Sequence, residues 1–398
     1  MKPLRKSLPS PPVPAPSDFR SRLRSPAVAA RVGLWLGITF GICFLTGLVS
    51  HYAQNPDQPV PFPTSPAWGY RVTQGLHVVS GTAAVPLLLV KLWAVYPRLF
   101  ERPPTKPLGP VVRHGLERAS IGVLVAAAVF QLATGLANSA QWYPWSFSFR
   151  ASHYAVAWVA IGALLVHVAV KLPVIRDALG RDVDDPAVDQ GHGRPEADRE
   201  GALSRRGLLR ATWLAAGVAV LATAGSAVPA LRRVSVLGVR SGDGPQGVPV
   251  NKSAAAAGVT DSATSPAFRL VVANGDREVG LTREDLLALP QRTEELPIAC
   301  VEGWSASGTW TGVRVRDLLA LVDAPADSEV LVVSLQESGP FRRTILQDNF
   351  AEDDRTLMAL ALNGETLDLD HGFPCRLIAP NRPGVLQTKW VHRLEVQA

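Results

Sequence analysis

The sequence is poor in charge and in cysteine. Charged residues make up 19% of its 398 positions against 47% hydrophobic ones, a balance that excludes a wholly soluble chain. Three cysteines are too few for a disulfide framework. The net charge is +6, yet no basic stripe interleaved with aromatic residues occurs, which argues against a nucleic-acid surface. The basic residues, mostly arginine, gather at the N-terminus and in two loops between apolar runs. That is the pattern of the cytoplasmic ends of membrane spans.

The organisation follows from these runs. Residues 1–30, rich in Pro, Ser and Arg, read as a disordered cytoplasmic tail. A membrane domain at 31–175 holds four runs, at 32–50, 74–96, 116–137 and 152–172, each long enough to cross a bilayer as a helix. Arg98, Arg102, Lys106 and Arg113 lie between the second and third runs, and Arg118 at the start of the third. Lys171 closes the fourth and Arg176, Arg181, Arg194 and Arg199 follow it, whereas the other two loops carry only Arg71 and Arg150. The N-terminus and the 176–203 loop are therefore expected in the cytoplasm. A fifth span is expected at 204–231. It opens with Ser204-Arg205-Arg206-Gly207-Leu208-Leu209-Arg210, which resembles a twin-arginine export motif. A linker at 232–247 leads to a mixed α/β region at 248–398. There strands are expected at 268–273, 330–335, 376–378 and 392–396, and a helix at 313–322. Thr282, with Asp285 three residues on, starts another helix in a near capping box.

Histidines mark the membrane domain. His153 and His167 are 14 residues apart on the fourth run, so on a helix they lie roughly 21 Å apart on nearly one face. His77 starts the second run level with His153, and His114 starts the third nearer the depth of His167. Depth pairs them as His77–His153 and His114–His167, two sites for haem b with facing imidazoles. His51 stands as an alternative outer ligand, and Lys91 reads as a residue that snorkels to the cytoplasmic interface. With Gln131-Leu132-Ala133-Thr134-Gly135 and Gly75-Leu76-His77, the region resembles the bacterial four-helix di-haem cytochrome b families.

The most informative stretch is Ile298-Ala299-Cys300-Val301-Glu302-Gly303-Trp304-Ser305, followed by Gly308-Thr309-Trp310-Thr311-Gly312-Val313. Leu286-Leu287-Ala288-Leu289-Pro290 precedes it. Arg316-Asp317-Leu318-Leu319, Asn363-Gly364-Glu365, His371-Gly372-Phe373-Pro374, Arg376-Leu377 and Lys389-Trp390-Val391 follow. Together these resemble the molybdopterin domain of the sulfite-oxidase superfamily over 248–398, in its sulfoxide-reductase branch. The resemblance implies that Cys300 ligates molybdenum, a fitting partner for a soft thiolate. It also implies that His371, Arg376 and Lys389 surround the pterin and its phosphate, that Asn251 reaches over the pterin, and that Glu302 and Trp304 shape the site mouth. Cys43 and Cys375 read as small buried hydrophobes.

Two departures separate the sequence from sulfite oxidases. Their Gly-Asn-Arg after the cysteine is replaced by Val301-Glu302-Gly303-Trp304, and their second β-sandwich domain is not expected after 248–398. Both favour a neutral S-oxide or N-oxide over sulfite. The expected protein is multidomain: an all-α membrane four-helix bundle and a fifth anchoring span, then an α+β sulfite-oxidase-type molybdopterin domain. Its expected function is a bacterial inner-membrane molybdenum oxidoreductase. Electrons would pass from the quinone pool or another membrane donor, through two haems b, to an exported site that reduces a sulfoxide by oxygen-atom transfer. The twin-arginine machinery would export the domain. Two other readings stay open: a sulfite-type dehydrogenase feeding electrons inward, and a non-catalytic pterin-binding or electron-carrying membrane protein.

Overall fold

The computed structural model describes residues 15, 19, 21–55, 60–185, 187, 203–238 and 244–397. Most of the expected tail, much of the 176–203 loop with Arg194 and Arg199, and part of the 232–247 linker lie outside the described residues.

Four helices are long and apolar enough to cross a membrane. They are α1 (Pro26–Ala53), α2 (Gly69–Val95, running on into a 3-10 turn at Tyr96–Phe100), α3 (Leu108–Ser139) and α4 (Phe149–Gly180). α1, α3 and α4 extend beyond their apolar runs at both ends, and α2 does so at its start. A helix of 32 residues such as α3 or α4 measures roughly 48 Å against a hydrocarbon core of about 30 Å, so polar ends can project. Leu45, Leu89, Leu116 and Leu165 point outward, each more than 60% exposed, as lipid-facing side chains do.

The fifth helix, α5 (Arg205–Thr223), stops short of the expected end at 231 and is not among the four. The chain folds back at Gly225 and Pro229. Ser235 Oγ donates to the Leu221 carbonyl at 2.6 Å and Leu237 N to that of Ala222 at 2.8 Å. These bonds satisfy carbonyls that a longer helix would have used.

The chain divides into two compact units. The first comprises 1–41, 83–132 and 155–219. There Ala27, Val28, Ala30 and Val32 of α1 pack with Leu87 and Ala178, and Lys171 pairs with Glu117. Arg205 is buried and donates to the Arg22 and Val183 carbonyls, while Arg206 pairs with Asp182 and Asp184.

The second unit comprises 42–82, 133–154 and 220–398. Short helices α6 (Ala254–Ala257) and α7 (Thr260–Thr264) precede β1 (Leu270–Asn274), β2 (Arg277–Leu281), α8 (Arg283–Ala288), β3 (Arg292–Ala299) and β4 (Ser305–Arg314). Then come α9 (Val315–Ala320), β5 (Val330–Ser334), β6 (Arg343–Leu346), α10 (Asp348–Ala351), β7 (Leu357–Leu362), β8 (Glu365–Thr366), β9 (Arg376–Ile378) and β10 (Val391–Val396). One sheet has the order β2-β1-β10-β5-β6, with β1 and β10 parallel. The other runs β3-β4-β7-β8, with β9 also on β7.

Strand β7 shows why two cores form. Met358 and Leu360 face a core shared with the first sheet, while Leu357, Ala359 and Leu362 face one holding Cys300, Trp304 and Trp310. A strand buried on both faces reads as a continuous apolar run. The capping box at Thr282 is complete, with Asp285 returning a bond to the Thr282 amide. Val313 belongs to β4, so the helix expected from 313 starts at Val315.

Candidate metal and cofactor sites

Cys300 begins a hairpin turn. The β3–β4 ladder closes at Ala299↔Ser305, leaving residues 300–304 as the loop. Cys300 N donates to Trp304 O at 2.9 Å and Gly303 N to Cys300 O at 3.0 Å. Gly303 has φ +85°, a left-handed conformation that a Cβ would penalise. Cys300 is 1% exposed and its Sγ lies 3.9 Å from Glu302 Oε2. That carboxylate also accepts from Trp304 Nε1 at 3.1 Å and Gln141 Nε2 at 2.8 Å. Burial first, and then Glu302, push the thiol well above the ordinary cysteine range. Only a bound cation would hold it as thiolate, the behaviour of a metal-ligating thiol.

Three buried cations, Arg376, Arg382 and Lys389, follow one another near the end of the domain. Arg376 donates to the carbonyls of His371 and Gln387 at 2.9 and 3.1 Å, its Nε has no partner, and it stacks 5.1 Å over Trp310. Arg382 donates to Leu386 O and Ile345 O. Lys389 Nζ donates to Lys252 O at 2.7 Å and Asp370 O at 2.8 Å. All three are at most 8% exposed, and among the described residues no carboxylate pairs with them. Burial lowers Lys389 to about 7 and Arg376 to about 9, so the guanidinium stays charged at neutral pH. Buried charge without a counterion is costly. An anionic cofactor such as a phosphate-bearing pterin would supply the missing charge, and the orphaned Arg376 Nε offers it a donor. The residues therefore fit the group. His371 is buried, donates through Nε2 to Pro245 O at 2.7 Å, and is lowered to about 4, first by burial and then by Arg376.

A second site is built from helices of the same unit. The rings of His77 on α2 and His153 on α4 have centroids 6.3 Å apart. Metal–imidazole bonds of about 2 Å on either side of one ion would put two ring centres roughly 6 Å apart. His77 Nδ1 lies 2.9 Å from Cys43 O and 3.1 Å from Thr46 Oγ1, and His153 Nδ1 lies 3.1 Å from Thr134 Oγ1. Holding one ring nitrogen this way orients the other toward a metal, so Nε2 is the nitrogen each ring would offer. A Cβ at Gly47 would sit 3.2 Å from His77 Cε1, and one at Gly135 3.6 Å from His153 Cε1. Thr46-Gly47-Leu48 and Thr134-Gly135-Leu136 thus make the same cradle twice. This repeated triplet is the sequence signal that would have found the threonines.

Residues 256–398 match the family model described as oxidoreductase molybdopterin binding domain. The chain is 33% identical over 115 residues to a candidate protein-methionine-sulfoxide reductase subunit, YedZ1, of Azospira oryzae, covering 29% of this chain and 43% of that one. It is 31% identical over 121 residues to an uncharacterized oxidoreductase, YuiH, of Bacillus subtilis, covering 30% and 60%. It is 33% identical over 115 residues to sulfite oxidase of Arabidopsis thaliana, covering 24% and 29%. The chain thus spans less than two thirds of the length of each of these relatives.

In the molybdopterin domain the sequence-predicted His371, Arg376 and Lys389 are all buried, and bonds link them: Arg376 to His371 O, and Lys389 to Asp370 O next door. A solvated Lys389 is thereby ruled out. Asn251 is exposed, and its side-chain oxygen accepts from Lys252 N at 2.9 Å. His51 stacks on Tyr154 at 3.6 Å, 7° from parallel. The structure places no ring contact between His114 and His167 among the described residues, in contrast to His77 and His153. Lys91 donates to Ala29 O at 2.8 Å, near the start of α1 and ahead of its apolar run. Gln141, Asn138, Arg71 and Arg382 were not foreseen. Gln141, Asn138 and Arg71 meet partners more than 160 positions away, and no local pattern marks any of the four.

Proposed function

We propose that this chain is a membrane-bound molybdenum oxidoreductase that reduces an S-oxide, or an N-oxide, with electrons delivered through a b-type haem. What carries the reading is that the His77–His153 pair and the Cys300 hairpin fall within one compact unit. Molybdopterin-bound molybdenum supplies two-electron oxygen-atom transfer, which needs no acid–base triad. Cys300 provides the protein's ligand to that metal. Arg376, Lys389 and His371 hold the pterin and its phosphate by charge and hydrogen bonds. Glu302, tied to Trp304, narrows the approach to the thiolate.

His77 and His153 hold the haem, with His51 left to its stacking on Tyr154. The ring contact supports one haem, at His77 and His153; among the described residues no ring contact joins His114 and His167. The arginine distribution supports a cytoplasmic N-terminus and an extracytoplasmic catalytic domain. Arg205 and Arg206 at the head of α5 suit twin-arginine export, and the quinone pool suits the donor. Purified protein should contain haem and molybdenum in equal amounts. Haem without molybdenum would make it an electron carrier and overturn the reading.

One observation favours a second reading, a dehydrogenase oxidising a sulfite-like anion. A cavity of about 210 Å³ beside Trp304 is lined by Arg71, Arg232, Ser226, Ser235, Ser305 and Ser307. Its two arginines offset the one missing after Cys300.

A further inference from the structure

The Cys300 hairpin rests on the helix ends that carry the histidine site. Asn138 Nδ2, at the end of α3, donates to Val301 O at 2.9 Å, and Tyr143 OH braces Asn138 Oδ1 at 3.0 Å. Gln141 Nε2 donates to Glu302 Oε2 at 2.8 Å. A Cβ added to Gly303 would lie 3.1 Å from Val78 Cγ2 and 3.2 Å from Ser139 Oγ, so only glycine lets the loop approach this closely. Val78 follows His77 in the chain. Beyond the loop, Arg71 Nε and Nη2 donate to Ser305 and Ser307 Oγ at 2.7 and 2.8 Å. Tyr70 N donates to Asn381 Oδ1 at 2.5 Å, and Asn381 Nδ2 to Pro63 O at 2.7 Å.

We propose that this seat is the electron-entry contact of the molybdopterin domain: the chain's own helices, with no separate soluble carrier, hand electrons to the metal bound by Cys300. The inference rests on the proposed haem at His77 and His153. The connection is short. From His77 the path runs through the peptide to Val78, across one van der Waals gap to Gly303, and through the Gly303 N–H···O=C Cys300 bond to the ligand residue. A haem held by His77 and His153 would supply one electron per transfer, and two such electrons with two protons from the solvent would reduce one sulfoxide to sulfide and water at the metal held by Cys300. Asn138, Gln141 and Gly303 act as positioning residues, since they touch the ligand loop and not the reacting atoms.

The test uses the full chain with Asn138→Ala/Gln141→Ala, and separately Gln141→Glu, which sets a second carboxylate against Glu302 without removing volume. Hydrogen exchange reads the seat itself. Rapid mixing of haem-reduced protein with methionine sulfoxide reads the transfer. A reduced viologen, which feeds the molybdenum directly, reads the metal site. The inference expects faster exchange at 301–305, haem reoxidation slowed roughly tenfold or more, and unchanged haem spectrum, molybdenum content and viologen-driven turnover. Loosened exchange with parental reoxidation would overturn it, as would unchanged exchange in both variants. A parental protein lacking haem would instead contradict the proposed function, and the exchange comparison would still judge the seat.

Discussion

The two candidate sites of the second unit solve opposite electrostatic problems. In the domain that holds Cys300 the chain buries three cations against backbone carbonyls and leaves a donor of Arg376 orphaned. That arrangement is incomplete until an anion arrives. Around His77 and His153 there is no such surplus: a carbonyl and two threonine hydroxyls hold the imidazole Nδ1 atoms. The pterin site is thus built to be completed by charge, and the histidine site by geometry. Removing a partner should therefore show itself as a charge imbalance in one and as a loss of orientation in the other.

The comparison can be broken most sharply at the ligands. Cys300→Ser should lower sulfoxide turnover by about a thousandfold or more while the haem spectrum stays intact; retained turnover would end the molybdenum assignment. His77→Ala or His153→Ala should each abolish the haem absorption and leave molybdenum in place, whereas His114→Ala should leave the same haem bound. Haem loss in His114→Ala with retention in His153→Ala would reverse the assignment.

One shell out, the effects shrink. Thr46→Val or Thr134→Val should weaken haem retention by about 10- to 100-fold, measured as haem loss to an apoprotein acceptor, and should not alter pterin content. Lys389→Met should weaken pterin retention by a similar factor. The smallest expected effect is a pH dependence. Burial lowers Lys389 to about 7 in the fold, so between about 7 and the ordinary lysine range the unfolded chain carries the proton and the folded one does not. Cofactor-free protein should gain stability as pH rises through that window and be weakest below it, by on the order of a few kcal/mol. Bound phosphate should remove the slope by favouring the charged amine. Melting curves of cofactor-free and loaded protein from pH 6 to about 10 check this, and a cofactor-free protein with no slope would show that Lys389 keeps its charge.

Much of this was legible because local physics determines it. Apolar runs became four helices long and apolar enough to cross a membrane, Thr282 and Asp285 formed their capping box, and the strand at Arg376–Ile378 stood where it was expected. Depth and spacing alone paired His77 with His153, yet the same reasoning paired His114 with His167, where no ring contact follows. Depth places a histidine; the Thr-Gly cradle on the neighbouring helix is what orients it. The seat beneath Cys300 was illegible because Asn138 and Gln141 meet Val301 and Glu302 more than 160 positions away. The end of α5 was missed because its carbonyls are satisfied by a turn that hydropathy does not register.

Haem absorption under anaerobic conditions reports whether electrons flow outward to a sulfoxide. Protein of verified molybdenum content is reduced with a quinol analogue and then mixed with methionine sulfoxide. Rapid haem reoxidation that disappears in Cys300→Ser is the predicted result. A haem that stays reduced with sulfoxide, while the oxidised protein is reduced by sulfite, would contradict it and make the protein a dehydrogenase.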